Sequence, residues 1–144
     1  MKNGGRKMLK HVVRPAVCAA AVFIAALLFA IPASWAQDNS IIGKWSLLWE
    51  GARDNYTGTL LVTKKTGDNL YYATVTLVKS DASVIKQEAN ITVTGKNIRI
   101  ECFNPSVKNW NPDRFYVALS GKTMEGYSLD AAGQRGKKIV FKRQ

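Results

Sequence analysis

The chain has 144 residues, with 21 Lys and Arg against 10 Asp and Glu and a net charge of +11. That is room for one domain and too little for two. Residues 1–36 hold five of the bases, no acid, the only histidine (His11) and Cys18. The other 108 residues keep 16 bases, 10 acids and one cysteine, Cys102, which excludes from that stretch an internal disulfide, a His/Cys zinc site and a Ser–His or Cys–His nucleophile pair.

Taken in order, residues 1–14 are basic and residues 16–31 form an unbroken apolar run. Pro32 ends the run, and Ser34 and Ala36 put small side chains at the −3 and −1 positions before Gln37. This three-part layout predicts a signal peptide over residues 1–36, cleaved on bacterial Sec-type export to the periplasm or exterior. The run of 16 residues is short of the roughly 20 that a spanning helix needs, so no stable membrane anchor is expected after cleavage. Cys18 precedes the apolar core and follows Val17, which does not match a lipoprotein anchor. The Asn55 and Asn90 sequons read as accidental in a bacterial chain.

From residue 37 onward the sequence alternates with period two and carries no helical period. Eight strands are predicted, over residues 43–49, 56–64, 70–79, 84–94, 97–103, 114–120, 123–129 and 137–143. Trp45, Leu47 and Trp49 share one face of the first strand; Ile139 and Phe141 share one face of the last. Val, Ile, Thr and Tyr, which suit pleated and half-buried surfaces, are frequent throughout. Val93-Thr94-Gly95-Lys96-Asn97-Ile98 and Leu119-Ser120-Gly121-Lys122-Thr123-Met124 repeat one pattern, a Gly-Lys hairpin between apolar strands. Tight turns fall at connections two, four and six, and the longer connections at one, five and seven. In a meander these gather at opposite ends. Eight such strands close on themselves to remove their edges. The predicted fold is therefore all-β, a single up-and-down antiparallel eight-stranded barrel over residues 37–144. The inward set includes Ala73, Ala89, Cys102, Gly126 and Ser128, small residues that either leave a cavity or fit a taper.

Gly43-Lys44-Trp45 on the first strand, followed by a meander and a basic residue near the end of the last, resembles the calycin group: lipocalins, fatty-acid-binding proteins and avidins. The resemblance implies that Trp45 packs across the closed end of the barrel. It also implies that a basic side chain lies over Trp45, with Arg143 the first candidate and Lys142 the second. A guanidinium over an indole contributes about 0.5–2 kcal/mol. The chain is shorter than a lipocalin and lacks that family's terminal helix and disulfide, so ligand identity does not carry over. Bacterial inhibitors of metalloproteases and of lysozyme also use small eight-stranded barrels.

The long-loop end is the expected place for function. Trp49, Arg53, Trp110 and Arg114 are the candidate ligand-binding residues, with Glu50, Asp54, Asp113 and Arg135 beside them. Trp110, in a loop rich in Asn and Pro, reads as a lid over the core or as a partner contact. Cys102 lies in the apolar phase of strand five and reads as a buried thiol. Ser120-Gly121-Lys122-Thr123 echoes a phosphate loop but lacks the earlier glycine, Tyr116 standing there, and a strand follows it where a helix is needed. The acid pairs Glu50 with Asp54 and Asp113 with Asp130 read as surface charge. The basic tail, Arg135 to Arg143, reads as a solvated face, with no nucleic-acid partner expected. The sequence thus predicts an exported, non-enzymatic binding module. It takes a small apolar ligand at its open end and needs no cofactor or metal. The alternative is a protein-contacting inhibitor or envelope-associated structural protein with a filled barrel.

Overall fold

The computed structural model describes residues 40–51 and 54–144. The predicted signal peptide and Arg53 lie outside the described residues. Eight strands run in order: β1 (Gly43–Glu50), β2 (Asn55–Gly67), β3 (Leu70–Val78), β4 (Val84–Thr94), β5 (Asn97–Phe103), β6 (Arg114–Ser120), β7 (Thr123–Leu129) and β8 (Arg135–Arg143). Each pairs antiparallel with its sequence neighbour. β1 also pairs with β8, from Trp45 opposite Arg143 to Trp49 opposite Ile139, and this last ladder closes the barrel. Among the described residues there is no helix. The all-β, up-and-down eight-stranded barrel expected from the alternation is the architecture found.

Two strands extend by two residues or more beyond the span that apolar alternation marked. β2 continues through the polar residues 65–67, its register broken between Val62 and Lys64 and again between Lys65 and Gly67. β8 starts at Arg135 rather than at residue 137. In both cases backbone ladder bonds carry the strand past the last core side chain, which hydropathy does not register.

The even connections are tight. Thr94 pairs with Asn97, and Ser120 with Thr123. Gly95 and Gly121 take φ of 60° and 58°. Positive φ at the first central residue alone is the type II′ pattern, in which glycine escapes the Cβ clash. The apparent phosphate-loop echo at Gly121 is thus a β-hairpin. In the long β5–β6 loop, Asn104 and Asn109 hold φ of 49° and 63°, a region asparagine tolerates better than most residues.

The interior is packed through its lower and middle layers. Trp45, Leu60, Ala73, Val75, Leu77, Ala89, Ile91, Ile98, Ile100, Phe115, Met124, Ile139 and Phe141 are all fully buried. Small inward residues fit the taper: Ala73 faces Ala89 across β3 and β4. At the tight-turn end the Trp45 indole N–H donates to the Ile41 carbonyl at 2.9 Å. The Arg143 guanidinium lies 5.3 Å from the centre of the Trp45 rings and donates to the Ser40 and Ile42 carbonyls at 3.0 and 2.7 Å. Residues 40–42 are therefore tied across the barrel end as a plug, with the Ile41 side chain buried in the core.

Candidate functional site

At the opposite end the packing opens. A cavity of about 790 Å³ lies over the upper ends of β6, β7 and β8, beside Trp49 of β1. Trp49, Pro112, Leu129 and Ala131 supply apolar wall, and Arg114, Arg135 and Lys137 supply positive charge. The volume falls within the range of small-molecule sites.

Trp49 reaches this wall because β1 keeps a strict inward phase, so the residue four along from Trp45 still faces in. It is stacked on Tyr56, with centroids 4.8 Å apart and 24° between planes. It also meets Phe115 edge to face at 5.4 Å. Its indole nitrogen is buried and has no hydrogen-bond partner among the described residues. A buried donor left unpaired is costly and uncommon.

Trp110 does not line the cavity. Its ring meets Tyr56 edge to face at 6.1 Å, half-buried against the core, and its indole N–H donates to Asp113 Oδ2 at 3.1 Å. The loop tryptophan is thus folded back over the mouth of the barrel, the first of the two arrangements its sequence context allowed. Arg114 lies on the cavity wall, its Nη2 donating to the Asp130 carbonyl. Arg135 places its guanidinium 4.5 Å from the centre of the Tyr127 ring.

Asp113 organises the loop. Besides the bond from Trp110, its Oδ2 accepts from Gln87 Nε2, and its backbone N–H donates to Gln87 Oε1 at 3.1 Å. Gln87 is buried on the inward face of β4, between Ile85 and Ala89. Its polarity in an apolar phase was the available signal, because a buried amide must find partners. Burial pushes the Asp113 carboxyl above the usual aspartate range, against the downward pull of the bonds from Gln87 and Trp110. Burial, reinforced by the Asp113 charge, also pushes the Cys102 thiol far upward, which disfavours the thiolate.

The other acids are engaged by their own loops. Asp54 accepts from the Ser80 hydroxyl at 2.8 and 2.9 Å, tying the β1–β2 connection to the β3–β4 connection. Asp130 Oδ1 accepts from the Gln134 N–H at 2.8 Å within the β7–β8 connection. At the start of β8 the register shifts, and the Ser128 hydroxyl fills the gap by accepting from the Lys137 N–H at 3.1 Å. This bend opens the β7–β8 corner into the cavity. No group of three or more His, Cys, Asp or Glu among the described residues is placed to hold a metal.

A pH-dependent test follows for Asp113. The folded protein holds its proton over a window, from the ordinary aspartate range upward, in which the unfolded chain has released it. Asp113 therefore favours the fold below that window and loses this contribution as pH rises through the folded value. Asp113→Asn keeps an acceptor oxygen for Trp110 and Gln87 without the charge. It is expected to lose less stability than the parent in urea melts as pH rises from the ordinary aspartate range. Asp113→Ala strands both donors and should cost about 2 kcal/mol or more. A steeper decline in the Asn variant would contradict this account.

Comparison with solved structures places the fold. A de novo designed fluorescence-activating β-barrel is 18% identical, with a TM-score of 0.54, covering 72% of this chain and 93% of that one. A redesigned β-barrel, mFAP1, bound to DFHBI, is 14% identical, with a TM-score of 0.58 and the same coverages. A further redesigned β-barrel, b11L5F_LGL, is 12% identical, with a TM-score of 0.61, covering 72% of this chain and 90% of that one. No family model matches the sequence, and no curated protein matches it. The likeness is one of fold: this chain is similar to small closed eight-stranded antiparallel barrels.

Proposed function

We propose that the protein is an exported, non-catalytic, calycin-like binding module that holds a small ligand in the open-end cavity. The observation that carries this reading is the cavity itself. It is roomy, and Trp49, Pro112, Leu129 and Ala131 give it apolar lining. The basic start and apolar run of residues 1–36 support export. The calycin-like reading rests on Gly43-Lys44-Trp45 with Arg143 above the indole. One barrel in the fold comparison is described as bound to the small molecule DFHBI, which is consistent with a small ligand.

The fully packed lower barrel favours a second reading, a contact protein such as a protease or lysozyme inhibitor that presents its loops to a partner. The two part at the Trp49 indole resonance in a nitrogen–proton correlation spectrum, assigned by its loss in Trp49→Phe. In the ligand-binding reading, small aromatic and aliphatic probes shift this peak saturably while the Trp45 peak at the closed end stays still. A Trp49 peak indifferent to every probe would overturn the ligand-binding reading.

A further inference from the structure

The charge around the cavity specifies its occupant further, on the reading just proposed. Three cations, Arg114, Arg135 and Lys137, line the cavity, and none forms an ion pair with a carboxylate among the described residues. Two acids share the lining, Asp113, whose Oδ2 receives Gln87 and Trp110, and Asp130, whose Oδ1 receives the Gln134 N–H, so three cations face two carboxyl groups and the lining is net positive. Arg114 is held in place by its bond to the Asp130 carbonyl, while Arg135 rests over the ring of Tyr127, an outward-phase residue of β7, at the outer rim of the cavity. Each of these contacts leaves the guanidinium charge unneutralised, with further N–H donors to offer. Apolar lining comes from Trp49, with its flat ring, from Pro112 and from Leu129, which stands between Arg114 and Arg135 in the strand ladders.

We propose that the site selects an amphipathic anion: a flat apolar body against Trp49, Pro112 and Leu129, with one carboxylate- or sulfonate-like head towards Arg135, Lys137 and Arg114. A neutral apolar molecule of the same shape gains the wall contacts but leaves the excess positive charge of the lining uncompensated. An anion adds charge-assisted hydrogen bonds. The low-dielectric walls of a cleft strengthen attraction to charges of one sign relative to an open surface.

The test compares 8-anilinonaphthalene-1-sulfonate with N-phenyl-1-naphthylamine, which share the same rings and differ in the sulfonate. Binding is followed by dye fluorescence and by the Trp49 indole peak. The sulfonate is expected to bind at least about tenfold more tightly at low salt, a preference that shrinks as salt rises. In the Arg135→Gln, Lys137→Gln double variant the sulfonate should weaken at least about fivefold while the neutral amine holds its affinity. Both positions are exposed and outside the core, so the variant is expected to fold, and its melting temperature checks this. Equal affinity for both dyes, with Trp49 shifted by each, would overturn the anion preference and leave the ligand-binding reading standing. Sulfonate binding that leaves the Trp49 peak unmoved, or that ignores the double substitution, would place the dye elsewhere and overturn the proposal. If neither dye moves Trp49, both readings fail together.

Discussion

Trp45→Ala is expected to lower stability by about 3–5 kcal/mol, the usual cost of removing a buried tryptophan from a packed core. The size follows from what the indole joins. It is fully buried, opposite Leu60 on one side and Arg143 on the other in the strand ladders. Its N–H holds the Ile41 carbonyl, and Arg143 reaches past its face to the Ser40 and Ile42 carbonyls. Alanine would leave a cavity at the barrel base and free the plug of residues 40–42. Two milder variants separate these contributions. Trp45→Phe keeps most of the ring volume but leaves the Ile41 carbonyl unpaired, at about 1–3 kcal/mol. Arg143→Met keeps an apolar cover but loses the cation and both bonds to the plug, at about 1–3 kcal/mol. For a domain of this size each kcal/mol moves the melting temperature by about 4–8 °C, so thermal melts resolve the order. A Trp45→Ala protein melting within a few degrees of the parent would show that this end is not sealed by the indole.

The barrel was legible because its core residues obey one rule. Along β4, Ile85, Ala89 and Ile91 keep the inward phase, and along β5 Ile98, Ile100 and Cys102 do. Closure follows from that phase combined with turns too short to allow crossovers. The mouth was legible only at the level of which loops meet there. Trp49, Asp113, Arg114 and Arg135 could be placed at one end from loop lengths, and they do line one cavity. The residues that shape that cavity left fainter marks. Gln87 breaks the apolar phase of β4, and its reciprocal bonds to Asp113 span 26 residues of sequence, a separation that local pattern cannot read. Ser128 and Gly136 belong to a register shift, and such a shift depends on how two strands slide rather than on either strand's composition. Trp110 carried two readings because its loop composition fits both, and the direction of its ring is decided by Tyr56 and Asp113, on other parts of the chain.

Gly126→Ala is expected to destabilise the barrel by about 3 kcal/mol or more, at or above the upper end for overpacking a well-filled interior. Gly126 stands on the inward phase of β7, between Val117 of β6 and Ile139 of β8. A Cβ there would lie 2.0 Å from the Tyr116 carbonyl oxygen and 2.7 Å from the Val117 Cα. Both obstacles are backbone atoms of the neighbouring strand, so no side chain can swing aside; β6 and β7 would have to separate, with loss of ladder bonds. Such close approach marks a strand bending sharply at a barrel corner. Gly121→Ala supplies the contrast. Its Cβ would meet nothing within 4 Å, but its φ is 58°, so only the cost of a left-handed residue remains, about 1–2 kcal/mol. Crowding, not backbone freedom, should therefore dominate. Urea melts of the two variants are expected to rank Gly126→Ala well below Gly121→Ala, with Gly126→Ala partly unfolded at room temperature if the parent is of ordinary stability. The reverse order would mean that β6 and β7 are not pressed together at this corner.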